Sequence, residues 1–177
     1  MDVKSILDQW AWTMNDDVAV PALLARPREP EMSDAVLRMC VSANRLTAGT
    51  AAVVRKYADP HDVGSVVRAR VLRVCVLALQ FLRAQAFVVL DAIYRFEPDS
   101  QEVMDACVAC IDPAYPHNVR NMAMHVVARM TSPRLSDRAL RMRFAQITEL
   151  VTHDTTTAVA LLARIADDDV EYLQRGI

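Results

Sequence analysis

Glycine is scarce in this chain: only three glycines occur among 177 residues. β-Sandwiches and β-barrels use many glycine- and asparagine-rich turns, which this composition does not supply. Parallel α/β folds need short β-branched strands that end in glycine turns, and none is evident. The same scarcity leaves no glycine-rich phosphate-binding loop. The sequence therefore predicts an all-α fold.

Lysine is nearly absent as well, since the chain has 18 arginines but only Lys4 and Lys56. Two explanations stay open: the bidentate hydrogen bonding of arginine, or a GC-rich genome. The formal net charge is −2, which gives no overall attraction to nucleic acid or to an anionic membrane. Nucleic acid is therefore not the partner that composition favours.

Long uncharged stretches are missing too. The longest has nine residues, as in the segment 74–82, whereas a membrane-spanning helix needs about 20. Residues 1–4 lack the basic and apolar pattern of a secretory signal. We expect a soluble protein of the cytoplasm or nucleus. Four cysteines lie in apolar helical patterns and are expected to be free, buried thiols; they are Cys40, Cys75, Cys107 and Cys110.

The segment 65–96 contains neither proline nor glycine and is mostly apolar. As one helix its thirty-two residues would extend about 48 Å, which exceeds the width of a compact domain of this size. We therefore predict a bend near residues 82–85, which gives two helices at the buried centre of the protein.

Proline-containing breaks divide the rest of the chain at residues 26–30, 59–62, 112–116 and 131–133. Between them apolar residues recur at helical spacing, beginning with an inward face of Ile6, Leu7, Trp10 and Met14. Ser33 and Ser100 are expected to cap helices. The pattern predicts eight or nine helices in a single compact domain over residues 1–177, since hydrophobic residues make up 53% of the chain.

Two sets of residues are candidates for binding a partner. Trp12 lies two residues after Trp10, about 200° around a helix, so both cannot point into the same core. An exposed tryptophan is typical of an interface, and packing against the 26–30 loop is the alternative. The other set is Arg134, Arg138 and Arg141, which share one helix face.

Catalytic, cofactor and metal sites are not predicted. Cys107 and Cys110 form a Cys-x-x-Cys pair, but no second cysteine pair or close histidine pair completes a zinc site. A redox pair normally opens a helix, whereas this pair sits late in one. The four histidines show no metal-binding spacing; they are His61, His117, His125 and His153.

Residues 112–123 run Asp-Pro-Ala-Tyr-Pro-His-Asn-Val-Arg-Asn-Met-Ala. This resembles the second helix of a HEAT-type repeat, in which an Asp-Pro turn leads into Val-Arg-x-x-Ala. Segments that begin at Pro27, Pro60 and Pro133 also lead into arginine-bearing amphipathic helices. The resemblance implies a short helical array.

A second resemblance is to the Bcl-2-like proteins of poxviruses. Residues 6–17, Ile-Leu-Asp-Gln-Trp-Ala-Trp-Thr-Met-Asn-Asp-Asp, look like their opening helix, and residues 147–154 look like their penultimate helix and turn. A buried central helix would correspond to the 71–96 region. The Asn-Trp-Gly-Arg motif of cellular members is absent. This resemblance implies a bundle that binds a host signalling or apoptosis factor.

These observations predict a non-enzymatic, intracellular protein–protein interaction module, an adaptor or inhibitor that is viral if the second resemblance holds. Self-association through the first helix is a further hypothesis. The alternative is a nucleoprotein-type function, which needs the arginines at 68–73 and 134–143 to converge. A third hypothesis is an enzyme that uses Cys107 or Cys110.

Overall fold

The computed structural model describes residues 2–98 and 100–129, with side chains through residue 127. No strand occurs in these ranges, so the all-α prediction is confirmed for them. The described ranges contain eight α-helices: α1 (Val3–Thr13), α2 (Asp16–Ala25), α3 (Ser33–Cys40), α4 (Ala48–Tyr57), α5 (Ser65–Phe81), α6 (Ala86–Arg95), α7 (Gln101–Ala109) and α8 (His117–Arg129). Short 3₁₀ turns lie at Pro30–Met32 and Arg83–Gln85.

The chain divides into two compact units, residues 1–97 and residues 98–177. Helices α1 to α6 belong to the first unit, and α7 and α8 lie in the second. The single domain expected over residues 1–177 stays a prediction.

Helix α4 forms the centre of the first unit, where it packs against α2, α3 and α6. Its buried residues are Thr50, Ala51, Val53, Val54 and Tyr57, which occupy more than one side of the helix. The largest fully buried side chains of this unit are Tyr57, Phe96, Leu23, Leu37, Leu90 and Ile93. These large side chains come from α2, α3, α4 and α6 and from the residue that follows α6, while α1 and α5 each add one buried side to the same core.

The long apolar segment bends where the sequence predicts. Helix α5 ends at Phe81, the turn Arg83–Gln85 follows, and the chain continues into α6 at an angle of 119°. Among the described residues, no single helix is long and apolar enough to span a membrane, and only this bent pair reaches that length and hydropathy when taken together.

Burial along this segment is uneven. In α6, five apolar residues and Asp91 are buried. In α5, by contrast, Val66 and Phe81 are each 78% exposed and Leu77 is 42% exposed. The expectation of a wholly buried segment is therefore wrong for α5, because α5 packs on α3 and α6 with one side and turns the other to solvent.

Asp91 is the buried carboxylate of the first unit, and its side chain is only 10% exposed. Its Oδ2 accepts hydrogen bonds from Nε of Arg55 on α4 and, at 3.3 Å, from Nε of Arg95 one turn later on α6. Since a buried charge is costly without partners, the two arginines make this position tolerable, and Arg55 connects α4 to α6.

The start and end of α3 differ from expectation. Ser33 is not its N-cap, because the 3₁₀ turn that begins at Pro30 runs directly into α3. The Ser33 hydroxyl is buried and has no hydrogen-bond partner among the residues that the structure describes. The spacing of the apolar residues Val36, Met39, Cys40, Ala43 and Leu46 predicts a helix that reaches Leu46, whereas α3 ends at Cys40. Thr47 then caps α4 through a reciprocal capping box with Thr50.

In the second unit, Ser100 caps α7 as predicted, and its Oγ accepts a hydrogen bond from the Val103 amide at 3.3 Å. Helices α7 and α8 pack against each other. The sequence places Val103, Cys107, Cys110 and Ile111 on the inner side of this segment, and all four are buried, the first two in α7 and the last two directly after it. On α8 the fully buried methionine is Met124, while Met122 is half-buried.

Candidate partner-binding surface

Helix α1 has one clear inward face. The Asp2 carboxylate caps it by accepting the Ser5 amide hydrogen bond at 2.7 Å, and that bond is the main reason why the pKa of Asp2 is lowered. Four residues of the helix are buried: Val3, Ile6, Leu7 and Trp10. The indole Nε1 of Trp10 donates to Oδ1 of Asp16 at 2.9 Å. This bond fixes α1 against the first turn of α2.

Trp12 is 90% exposed. The predicted exposure is thus confirmed, and the alternative of packing against the 26–30 loop is wrong. The cause is the helical rotation of about 200° from Trp10, which is buried in the core. Removing a side chain of this size from water is strongly favourable, so Trp12 is a large apolar surface that the described residues leave uncovered.

The turn after α1 exposes a second apolar side chain. Met14 was expected on the inward face, and this expectation is wrong. The helix ends at Thr13, and Met14 takes a left-handed conformation with φ 50° as the C-cap. Its side chain therefore leaves the helical stripe and is 62% exposed.

A groove of about 330 Å³ separates α1 from α2. Its α1 side includes Ile6, Gln9 and Thr13, which lie at helical spacing on one face. The α2 side includes Ala19 and Ala22, whose small side chains leave the space open. The remaining lining residues are Trp10, Asn15, Val18 and Arg26.

Trp12 does not line this groove, and its position relative to the groove follows from the geometry of α1. It follows Gln9 by three residues, and residues three apart are neighbours on a helix surface. Gln9 lines the groove, so Trp12 emerges just outside the α1 side of it. We call the groove together with Trp12 the α1–α2 surface. Mostly apolar walls with a few polar groups are typical of a site that binds an apolar segment.

The groove was not predicted from the sequence, although the sequence contains a signal for it. Val18, Ala19 and Ala22 sit at i, i+1 and i+4, which places small residues on the side of α2 that faces α1. The apolar stripe alone does not distinguish a packed contact from an open one. The other predicted binding residues, Arg134, Arg138 and Arg141, lie outside the described residues.

The thiols are all buried, as the sequence predicts, and none is in a disulfide. Burial raises the pKa of Cys40, raises that of Cys75 to about 12, and raises that of Cys110 to about 11. A thiolate is the reactive form of cysteine, so these positions favour the unreactive thiol.

The histidines of the described residues are not part of a metal-binding group. His61 lies in a turn and His125 is exposed, as their positions in the sequence indicate. His117 was expected in the loop after Pro116, and this expectation is wrong, because His117 begins α8. No group of three or more His, Cys, Asp or Glu side chains among the described residues is arranged to hold a metal ion.

Comparisons of this chain with models of protein families, with curated proteins and with solved structures found no match.

Proposed function

We propose that this chain is a non-enzymatic protein-interaction module and that it binds its partner through the α1–α2 surface. The observation that carries the proposal is Trp12, which is 90% exposed beside an open, mostly apolar groove. Exposed tryptophans of this kind dominate the energetics of many interfaces.

The groove favours a partner that presents an apolar segment. Helix α1 has 11 residues and is therefore about 16 Å long, which corresponds to about three turns of a helix laid alongside it. Helix-in-groove binding uses apolar anchors at i, i+3 or i+4 and i+7. The small residues Ala19 and Ala22 leave space for one such anchor, and Trp12 would pack over a neighbouring one.

The proposal includes two alternative assignments of the type of helical fold. A HEAT-like array and a poxviral Bcl-2-like bundle are both compatible with an all-α chain that works by binding. The second would make the protein an inhibitor or adaptor that holds a host signalling or apoptosis factor in the cytoplasm or nucleus. On either view the protein acts by mass action, without chemistry.

The test uses two variants that change the surface in opposite ways. Trp12→Ala removes the exposed side chain, and Ala22→Phe fills the groove. Lys4→Ala is the control, since it changes an exposed residue of α1 that does not line the groove. Proteins captured by the parent chain are identified by mass spectrometry, and each purified partner is then titrated by calorimetry.

We expect both groove variants to weaken the Kd by about 30-fold or more, which is the effect of losing an interface hot spot of about 2 kcal/mol. The control should bind like the parent. Equal binding by all three variants would refute the surface. Binding of generic RNA with a steep salt dependence would favour the nucleoprotein alternative.

A further inference from the structure

We propose that the solvent side of α5 is a second docking surface, and that it binds an acidic amphipathic helix of a partner protein. The surface consists of Val66, Arg70, Arg73, Leu77 and Phe81. The proposal goes beyond the α1–α2 surface, because it concerns different residues and a partner of different chemistry.

These five residues share one face of the helix. Their spacing is i, i+4, i+7, i+11 and i+15, the repeat that aligns side chains along an α-helix. The face is about 22 Å long from Val66 to Phe81 at 1.5 Å per residue. An apolar residue marks each end, and the arginines lie between Val66 and Leu77.

Three of the five residues on this face are apolar and yet exposed to solvent. Val66 and Phe81 are each 78% exposed, while Val67, Val71, Val74 and Leu79 of the same helix are buried. Apolar residues scattered singly on a surface need no explanation, but several in one row indicate a contact surface.

The charge of the face is positive and unbalanced. No aspartate or glutamate occurs anywhere between residues 63 and 90. Arg70 donates to the Ser42 carbonyl at 3.5 Å and to Asn44 Oδ1 at 3.2 Å, which are both neutral acceptors. These bonds hold its guanidinium beside the loop that carries Arg45.

Arg45 and Arg73 extend the positive charge. Both are exposed, and neither forms an ion pair with any residue in the described part of the chain. Elsewhere in the first unit the arginines at 28, 38, 55 and 95 do have carboxylate partners. The face of α5 therefore lacks the acidic partners that other arginines of this unit have.

An acidic amphipathic helix supplies what is missing. Its carboxylates would pair with the arginines in the bidentate geometry that arginine favours, and its apolar residues would cover Val66, Leu77 and Phe81. A second copy of the chain fits poorly, because a two-fold axis near the middle of this face would bring Arg73 close to its own copy, and like charges repel.

A lipid surface is also a poor fit. Stable membrane attachment by an amphipathic helix needs a broad apolar face, or a second signal in addition to basic residues. Here the other side of α5 is committed to the core, and the apolar residues are separated by the arginines. The experiment nevertheless includes vesicles, so that this occupant is tested.

The probe is a fluorescein-labelled helical peptide of about 18 residues, about 27 Å long, with leucine on one face and glutamate at the flanking positions. The matched peptide has glutamine in place of glutamate. Binding to the full chain is followed by fluorescence anisotropy at low and high salt. Vesicles of phosphatidylcholine and phosphatidylserine are tested in parallel by sedimentation.

We expect the acidic peptide to bind and the glutamine peptide to bind at least about tenfold more weakly, with an affinity that falls as salt screens the charges. The double variant Arg70→Gln/Arg73→Gln and the single variant Phe81→Ser should each weaken binding by about tenfold or more. Lys4→Gln removes one positive charge from α1 and should leave binding unchanged. Circular dichroism checks that each variant keeps its helical content.

Four results would overturn the proposal: no binding of the acidic peptide, equal binding of both peptides, binding that survives the α5 variants, or vesicle binding that these variants abolish while peptide binding persists. The last result would assign the face to a membrane.

Discussion

Lys56 is one of the two lysines in this arginine-rich chain, and its ammonium group lies at the carboxyl end of α2. Its Nζ donates to the carbonyls of Leu23 at 2.9 Å and Leu24 at 3.0 Å, and also to the carbonyl of Arg26. The last carbonyls of a helix have no partners within it. Burial lowers the pKa of Lys56, so the three acceptors offset part of the cost of desolvating the charge.

An ammonium group suits this position better than a guanidinium. It presents three donors around one atom, whereas the planar guanidinium directs its donors outward in a fork. We expect Lys56→Met to lower the free energy of unfolding by about 2–3 kcal/mol, since bonds to charged groups contribute about 1.5–3 kcal/mol, and Lys56→Arg to lower it by about 1 kcal/mol or more. Urea denaturation measures both.

Lys4→Arg is the matched control, because Lys4 is exposed on α1 and surface substitutions usually change stability by less than about 0.5 kcal/mol. If Lys56→Arg matched the parent in stability, the argument from donor geometry would be wrong.

The buried thiols give a second prediction at the scale of residues. Burial raises the folded-state pKa of Cys40, Cys75 and Cys110, from 9.0 to about 12 for Cys75 and to about 11 for Cys110. A raised pKa means that the folded protein holds the proton more tightly than the unfolded chain. The stabilisation is complete below about pH 9 and is lost as pH rises through the folded pKa.

We therefore expect stability to fall above about pH 9, and thiol reagents at pH 8 to react with the four cysteines only after denaturant is added. A chromogenic disulfide reagent measures this directly. Rapid reaction of one cysteine in the folded protein would revive the hypothesis of a cysteine enzyme.

At the scale of elements, α2 and α4 approach each other closely at Gly49. A Cβ placed there would lie 3.1 Å from Cγ1 of Val20 on α2. Gly49 lies in the first turn of α4, after the N-cap Thr47. Because it has no Cβ, it allows α2 to approach α4 closely at this point.

A double-mutant cycle tests this close approach. Replacing a helical glycine by alanine normally gains about 1 kcal/mol. We expect Gly49→Ala in the parent to gain nothing or to destabilise, and in a Val20→Ala background to gain about 1 kcal/mol. The coupling free energy should exceed about 0.5 kcal/mol, measured by urea denaturation. Additive effects would show that the contact is unimportant.

Helix boundaries show what sequence can and cannot provide. The bend at 82–85 was predictable because one helix of that length would not fit a compact domain. The breaks at 26–30 and 112–116 were predictable because they contain proline. The end of α3 was not predicted, since residues 41–47 contain neither proline nor glycine. The local features there are weaker signals: Ser42 Oγ donates to the Met39 carbonyl at 2.9 Å, and Asn44 takes a left-handed conformation with φ 54°.

The binding surfaces were predictable only in part. Trp12 follows from helical rotation, because Trp10 cannot share its direction. The groove and the face of α5 could not be predicted from the sequence, because apolar spacing alone assigns every apolar residue to the core side of its helix. Val66 and Phe81 show that an apolar helix can turn such residues to solvent when only one of its sides meets a neighbour.

At the scale of the whole molecule, the first unit contains its own core. Its largest buried side chains come from residues 23–96, and the Asp91 ion pairs connect two of its helices. A chain of about 100 residues is long enough to bury a stable core.

We expect a fragment of residues 1–97 to fold alone, with helical circular dichroism and one cooperative urea transition. A control fragment that stops at Phe81 lacks α6, and with it Leu90, Asp91 and Ile93, so it should show no cooperative transition. A 1–97 fragment without such a transition would show that the first unit depends on residues 98–177.

The three carbonyls around Lys56 also make that side chain a chemical reporter. Acylating its nitrogen would remove the charge and leave the end of α2 without donors, so amine-reactive reagents should label Lys4 in the native protein well before Lys56. Mass spectrometry of samples taken during labelling would then measure the rate at which α2 opens locally from α4. Labelling of Lys4 is the internal reference, and no engineered tag is needed.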